Sequence, residues 1–220
     1  MRKLAILFLL LFVPSIANAQ AVPKKVWEAS KSVCKVMVPQ GNSRSYGSGT
    51  YLGSRLVVTA AHVIDRTEYG WVHFSATDEA IRFRTWAGDD GLDFAVLHLY
   101  KEPSCAPVKV ACEPVTRGDN TYIVGHPKAV KQLQIARSIA GNVNGPYLTT
   151  YNEAGVISGF SGGATLNAQG ELLGPVWGSR YNRNTGFEKN ARSVCQQQTR
   201  RFLLPWNARL AATGIYAGST

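Results

Sequence analysis

The sequence is poor in charge, in cysteine and in long apolar runs, and each shortage excludes a class of protein. Only 17% of the 220 residues are charged and 45% are hydrophobic, so the chain has enough apolar surface to fold and is not intrinsically disordered. The 21 glycines and 10 prolines are too few for a collagen-like or low-complexity chain. The four cysteines include no C-x-x-C pair and the four histidines are scattered, which argues against a structural zinc site. A chain of this length can build one sizeable core or two smaller ones.

The amino terminus has the pattern of a secretory signal peptide. Arg2 and Lys3 form a basic start, residues 4–13 are apolar, and residues 17–19 form an A-x-A cleavage site. The alternative, a membrane anchor, needs about 20 apolar residues, and Pro14 interrupts the run first. We therefore expect residues 1–19 to be removed and residues 20–220 to act in the periplasm or the medium.

Four cysteines in an exported chain are suited to two disulfide bonds, with three connectivities open. Cys105 and Cys112 bracket a short segment that contains Pro107, which favours a local bridge. Cys34 and Cys195 would then join the start of the mature domain to its end. Reduced thiols are the alternative if the compartment is not oxidising.

The periodicity along the chain is that of β-strands. The clearest segments are short, rich in β-branched or aromatic residues and bounded by turn residues: 33–38, 49–52, 56–59, 71–74, 81–86, 94–99, 121–124 and 172–177. Such a series predicts an all-β barrel or sandwich. Helical patterning is weak until residues 195–204, where one helix is expected, and Pro205 would end it. No repeat or linker is evident, and a soft break at 111–119 divides the chain into two halves.

Three short segments carry reactive side chains. His62 follows an apolar strand and two alanines, and small residues beside an imidazole leave room for a reacting group. Asp93 stands directly before an apolar strand, and Ser161 lies between glycines in the sequence Gly-Phe-Ser-Gly-Gly. Taken singly, these are a structural histidine, a turn residue and a flexible loop. Taken together, they provide a nucleophile, a base and a group that orients the base, in the chain order of the chymotrypsin triad.

On these motifs the sequence resembles the chymotrypsin-like (trypsin-fold) serine peptidases, from about Cys34 to Trp177. Within that family it looks most similar to bacterial glutamyl endopeptidases and to high-temperature-requirement protease cores, through Glu153-Ala154 and residues 167–174. Two features depart from the pancreatic enzymes: Phe160 replaces the Asp that binds a newly cut amino terminus, and no Ile-Val-Gly-Gly start is present. No PDZ domain is expected after Trp206.

The resemblance implies two antiparallel six-stranded β-barrels of chymotrypsin type with a short C-terminal helix, the first barrel at about 30–112 and the second at about 118–204. It implies catalysis by His62, Asp93 and Ser161, with the backbone N–H groups of Gly159 and Ser161 as the oxyanion hole. No metal or organic cofactor is implied. The alternative is a catalytically idle homologue that binds peptides or anionic surfaces.

The resemblance also indicates which residues form the pocket for the P1 side chain. The position six before the nucleophile is Gly155, with Val156 beside it, and Val176, Trp177 and Gly178 follow the pattern of a pocket wall. No acid is expected at the base, and the His that glutamyl endopeptidases carry is missing. We therefore expect a small or apolar P1 residue. The competing expectation is Lys or Arg, if the carboxylate of Glu153 reaches the pocket.

The net charge of +10 is concentrated near the carboxyl terminus. Residues 176–220 carry seven basic side chains and one acidic side chain, with Tyr181 and Phe187 among them. This segment is either a solvated basic face or a surface that attracts acidic substrates and anionic polymers or lipids. The arginines concerned are Arg180, Arg183, Arg192, Arg200 and Arg201. No motif for specific nucleic-acid binding accompanies them.

Overall fold

A computed structural model describes residues 21–89, 93–113, 115–144, 147–152, 158–182 and 185–191 of the 220-residue chain. The expected signal peptide, the expected helix at 195–204 and Cys195 lie outside these residues. Within them no helix is long and apolar enough to span a bilayer.

The described residues form two short α-helices, a 3₁₀ helix (Pro127–Ala129) and twelve strands. The α-helices are α1 (Lys24–Ser30) and α2 (Ala61–Ile64). The strands are β1 (Val33–Gln40), β2 (Ser43–Gly53), β3 (Leu56–Thr59), β4 (Tyr69–Phe74), β5 (Glu79–Asp89), β6 (Phe94–Leu99), β7 (Asn120–Gly125), β8 (Gln134–Asn144), β9 (Tyr147–Asn152), β10 (Ala164–Asn167), β11 (Leu172–Asn182) and β12 (Thr185–Ala191).

The first six strands form a closed antiparallel barrel in the order β1-β2-β3-β6-β5-β4. It closes where β1 pairs with β4, with Val36 opposite Val72. Alternate residues of each strand face inward because side chains on a strand point to opposite faces. The interior is filled by large apolar side chains that include Phe74, Phe83 and Leu97, each fully buried.

The last six strands form a second barrel in the order β10-β11-β12-β9-β8-β7. It closes where β10 pairs with β7, with Ala164 opposite Val124. The two barrels are built from consecutive halves of the chain. This architecture confirms the all-β, two-barrel fold expected from the sequence.

A shared apolar cluster joins the barrels. Val58 and Val96 of the first barrel and Val124 and Leu172 of the second belong to it, and Val26 of α1 is wholly buried in it. Each such side chain contributes roughly 1.5–3 kcal/mol on burial. The contact holds the end of β3, from which α2 begins, at a fixed place relative to the second barrel.

The expected local disulfide bond between Cys105 and Cys112 is not formed: both thiols are free, as is that of Cys34. Cys105 packs against the core of the first barrel. Cys112 belongs instead to a segment tied to the second barrel, where the N–H of Ala111 donates to the carbonyl of Leu172 at 2.9 Å. Cys105 thus packs on the first barrel, whereas the residue before Cys112 is bonded to the second barrel, which the spacing along the chain did not indicate.

Candidate active site

His62 is carried by a single helical turn at the end of a buried strand. The β-branched run that ends at Thr59 forms β3, and the backbone then turns at Ala60 into α2. Both Ala60 and Ala61 are buried, so larger residues would not fit there. The turn ends at Asp65 in the left-handed conformation. The side chain of His62 stays half exposed, at 50%.

Asp93 contacts His62 through both carboxylate oxygens. Its Oδ2 lies 2.6 Å from His62 Nδ1, and its Oδ1 accepts the backbone N–H of His62 at 2.8 Å. The Asp93 side chain is only 12% exposed, and its φ of 49° is unusual for a residue other than glycine. In the neutral imidazole the carboxylate keeps the proton on Nδ1. This leaves Nε2 as a proton acceptor on the half-exposed side.

The segment that contains Ser161 lies against the first barrel, beside the helix that carries His62. The carbonyl of Ser161 accepts the N–H of Ser48 in β2 at 2.8 Å. A Cβ atom at neighbouring Gly47 would lie 3.1 Å from that carbonyl and 2.6 Å from the side chain of Val63. The carbonyl of Ser161 and the side chain of Val63, the residue after His62, therefore lie next to the same point of β2.

Four successive carbonyl groups of this segment, from Ser158 to Ser161, each accept a hydrogen bond. The donors, in order, are Lys128 N–H at 2.7 Å, the Ser48 hydroxyl at 2.7 Å, Gly163 N–H at 2.9 Å and Ser48 N–H at 2.8 Å. No described peptide bond is cis, so each N–H points away from the carbonyl of its own peptide unit. The segment is therefore fixed in direction, one peptide after another.

Neither Gly159 nor Ser161 donates its N–H group to an acceptor among the described residues. Gly159 has φ +102°, and a Cβ there would meet the carbonyl oxygen of His126 at 2.4 Å. Only glycine fits this position. Two such N–H groups two residues apart are the donor set that an oxyanion needs.

The structure describes only part of the expected P1 pocket. Val176 is buried with Phe160 and Ile123, and its carbonyl accepts the N–H of Gly162 at 2.7 Å. Trp177 is partly buried, and the backbone of Gly178 pairs with β12. The expected pocket residues Gly155 and Val156, and Glu153 with them, lie outside the described residues.

The arginines of the expected basic surface lie mostly outside the described part of the chain. Arg180 lies on β11, and its side chain is not described; Arg183, Arg192, Arg200 and Arg201 lie outside the described residues. Within the part that the structure describes, no three His, Cys, Asp or Glu side chains are grouped to hold a metal ion.

Three residues of the site were missed at the level of sequence: Ser48, His126 and Lys128. Ser48 and the backbone of His126 form a hydrogen bond of 2.8 Å. His126 is fully buried, burial lowers its pKa to about 4, and its Nε2 has no hydrogen-bond partner among the described residues. Lys128 has a positive φ of 49°. Ser48 did carry a signal, because it too lies between glycines; Lys128 carried none.

A family model of the trypsin-like peptidase domain matches residues 47–174. The chain belongs to the trypsin-like peptidase family. This confirms the family expected from the three motifs. The matched range contains His62, Asp93 and Ser161, together with Ser48 and His126.

Curated relatives of this trypsin-like peptidase chain are described as periplasmic. It is 28% identical over 153 residues, 64% of its length and 32% of the relative's, to a probable periplasmic serine endoprotease, DegP-like, of Buchnera aphidicola. It is 30% identical over 143 residues, 60% of its length and 30% of the relative's, to a probable periplasmic serine protease do/HhoA-like of Haemophilus influenzae. The chain thus spans about a third of these relatives.

Solved structures share the fold. The serine endoprotease from Yersinia pestis superposes with a TM-score of 0.70 at 22% identity, covering 82% of this chain and 65% of that one. The active form of the Rv3671c protease from M. tuberculosis gives 0.67 at 24% identity, covering 80% and 82%. At these identities the likeness establishes the two-barrel fold.

Proposed function

We propose that this protein is an exported serine endopeptidase that hydrolyses polypeptides through an acyl-enzyme. The observation that carries the proposal is the contact of both Asp93 oxygens with His62, beside a Ser161 segment whose carbonyls are all held. A half-exposed imidazole whose proton is held on Nδ1 can act through Nε2 as the general base that deprotonates a nucleophilic hydroxyl. Ser161 is the hydroxyl that the family pattern assigns to it.

In the proposed reaction His62 Nε2 takes the proton of Ser161 Oγ as the oxygen attacks the scissile carbonyl. Asp93 stabilises the imidazolium that forms. The N–H groups of Gly159 and Ser161 donate to the new oxyanion, each contributing roughly 2.7–4 kcal/mol. The tetrahedral intermediate then collapses as His62 returns the proton to the leaving amine. Water, deprotonated by His62, attacks the acyl-enzyme in the same way and frees Ser161.

Hydrolysis of denatured casein tests this function. The mature protein is expected to cleave it, and Ser161→Ala and His62→Ala are expected to lose the activity. Ser43→Ala is the matched control, because the Ser43 hydroxyl lies exposed in β2 and, among the described residues, bonds only the carbonyl of Gln40, at 2.9 Å. Cleavage that survives Ser161→Ala would contradict the proposal.

For specificity we propose a small or apolar P1 residue. Val176 supports it, since this buried apolar residue adjoins the nucleophile segment through Gly162. A library of peptides that vary only at P1 should show cleavage after small or apolar residues. Cleavage after Lys or Arg that is lost in Glu153→Gln would assign the pocket to Glu153 and overturn this preference.

We also propose that the protein acts outside the cytoplasm, in the periplasm or the medium. The basic start, apolar run and A-x-A site of residues 1–19 support export, as does the periplasmic description of both relatives. Expression of the full chain should yield a product in the periplasm or medium that begins at Gln20. Retention of residues 1–19 in the mature product would contradict this.

The basic carboxyl-terminal segment is proposed to bind anionic surfaces. Its support is the charge pattern alone, seven basic side chains against one acidic in residues 176–220. Salt-sensitive retention on heparin, lost when Arg200 and Arg201 are changed to Ala, is the expected result. Elution that does not depend on salt would contradict it.

A further inference from the structure

Ser48 connects the first barrel to the nucleophile segment through its side chain as well as its backbone. The residue is fully buried in β2. Its hydroxyl donates to the carbonyl of Gly159 at 2.7 Å and accepts the N–H of His126 at 2.8 Å. Its N–H donates to the carbonyl of Ser161 at 2.8 Å, and its own carbonyl accepts the hydroxyl of Thr59 at 2.7 Å.

The surroundings of the Ser48 side chain suit a hydroxyl and little else. A hydroxyl has one proton to donate and lone pairs to accept with. Here the carbonyl of Gly159 can only accept and the N–H of His126 can only donate, so the direction of both bonds is fixed. A Cβ at Gly125 would lie 3.0 Å from Ser48 Oγ, and one at Gly163 would lie 3.2 Å from Ser48 Cβ. The hydroxyl thus sits in a slot lined by two glycines.

We propose that the Ser48 hydroxyl is a positioning group for the oxyanion hole, an inference that rests on the peptidase function proposed above. The Gly159 N–H belongs to the peptide unit between Ser158 and Gly159. Its direction relative to the next peptide unit depends on the backbone dihedral angles of Gly159. Glycine at φ +102° has no side chain to resist rotation. The peptide unit after Gly159 is held by Ser48, and the unit before it by the N–H of Lys128. Donors that are held in place before reaction are what make an oxyanion hole effective.

The side-chain function of Ser48 can be separated from its backbone function. In Ser48→Ala the backbone bonds to Ser161 and Thr59 remain, because both use the main chain of residue 48. Only the bonds to Gly159 and His126 are lost. The backbone bond between the barrels at Ser161 is kept, while the carbonyl of Gly159 loses the hydroxyl that donates to it. The expected defect is therefore in transition-state stabilisation rather than in substrate binding.

Ser138→Ala is the matched control. Ser138 is buried in β8, and its hydroxyl donates to the carbonyl of Tyr151 at 2.9 Å, so the same kind of bond is removed within the second barrel. Steady-state kinetics would use a fluorogenic peptide selected by profiling the wild-type protein. For Ser48→Ala we expect kcat to fall roughly 10- to 100-fold, less than the loss of a donor itself, with KM changed by less than about twofold. Ser138→Ala should keep kcat and lose comparable thermal stability.

Ser48→Cys is a second variant, because a thiol keeps a weak donor at the same position; its kcat should lie between those of wild type and Ser48→Ala. A kcat for Ser48→Ala equal to that of Ser138→Ala would overturn the inference while leaving the peptidase function intact. Failure of both Ser48 variants to unfold cooperatively, while Ser138→Ala does, would also overturn it, since the hydroxyl would then serve the fold. An inactive wild-type protein would overturn the proposed function and this inference together.

Discussion

Asp93 contacts His62 at two points, the ring Nδ1 at 2.6 Å and the backbone N–H at 2.8 Å. A carboxylate that bound only the ring would let the imidazole swing with its side chain. Because the second oxygen is fixed to the backbone of the same residue, the carboxylate sets both the tautomer of His62 and its position relative to α2. Asp93 adopts a left-handed backbone conformation, and the strain of that conformation is the energetic cost of placing the carboxylate there.

Asp93→Asn should lower kcat roughly 10³- to 10⁴-fold with little loss of stability. The amide oxygen can still accept the backbone N–H of His62, and its NH₂ group then faces Nδ1. This disfavours the tautomer with the proton on Nδ1, so that Nε2 is no longer the acceptor. The measurement is steady-state cleavage of a peptide at fixed pH.

Asp65→Asn is the control for Asp93→Asn. Asp65 ends α2, and its carboxylate accepts a hydrogen bond, within the described part of the chain, only from the side chain of Gln40, at 3.4 Å. The same change of charge, made three residues after His62, should leave kcat within about twofold. Equal losses in both variants would show that charge near His62, not the contact with its ring, is what matters.

Gly162→Ala should abolish folding or activity, whereas Gly118→Ala should be tolerated. Both glycines have a positive φ, +80° and +97°, so both alanines carry a backbone cost of about 1–2 kcal/mol. At Gly162 the Cβ would also lie 2.1 Å from Thr59 Oγ1 and 2.2 Å from the carbonyl of Ser48, while at Gly118 it meets nothing within 4 Å. Thermal unfolding would measure the difference, which we expect to exceed about 3 kcal/mol. Equal stability of the two variants would contradict the close packing of Gly162 against the first barrel.

The protein should lose stability as the pH falls from about 6.5 toward 4, through His126. The folded-state pKa of His126 is lowered from 6.5 to about 4, chiefly by burial; the carbonyl of Val130 opposes this shift, and the charges of Lys35 and His73 contribute to it. Between those pH values the unfolded chain binds a proton that the folded chain does not, so the free energy of unfolding rises with pH. The contribution of His126 is fully present above the pKa of the unfolded state. At about 1.4 kcal/mol per pH unit, the loss approaches roughly 3 kcal/mol.

Urea unfolding of wild type and His126→Asn from pH 7 to pH 4.5 measures this effect. The asparagine amide can still donate to the carbonyl of Val130, which His126 Nδ1 contacts at 3.3 Å, but it does not titrate. The variant should show a shallower decline, and carboxylates that titrate in both proteins cancel in the comparison. Parallel declines would contradict the low pKa of His126.

In the reduced, folded protein Cys34 should resist alkylation, and Cys105 should react slowly. The thiolate is the reactive form. Burial raises the pKa of Cys34, and it raises that of Cys105 to about 11. Iodoacetamide at pH 8 followed by peptide mapping would identify each site, Cys195 included. Modification of Cys34 in the folded protein at the rate seen for Cys105 would contradict its burial in the first barrel.

The sequence revealed those strands whose inward residues are large. The strands β3 and β6 were predicted at their observed bounds, because each is a run of apolar residues in a buried sheet. The strand β8 was missed because small Ser138 and Ala140 face inward while Ile139 and Val143 are exposed, at 47% and 56%. Its pattern of hydrophobicity is therefore inverted. The helix α1, only seven residues long, is too short for a helical period to be evident.

The candidate site was predictable as far as its parts are local. His62, Asp93 and Ser161 each stand in a short motif whose chemistry depends on adjacent residues, and these motifs led to the family. Ser48 acts on Gly159, 111 positions away, and only the closing of two barrels brings them together. For the same reason spacing along the chain did not indicate that Cys105 packs on the first barrel, where its thiol is free.

Labelling of the mature protein with a fluorophosphonate probe tests the central claim most directly. An activated serine should take up one probe per chain, and peptide mapping should place it on Ser161. Ser161→Ala should take up none, and Asp93→Asn should react far more slowly than Asp65→Asn. If well-folded wild-type protein is not labelled, or is labelled equally in Ser161→Ala, then His62 and Asp93 do not activate Ser161 and the account is contradicted.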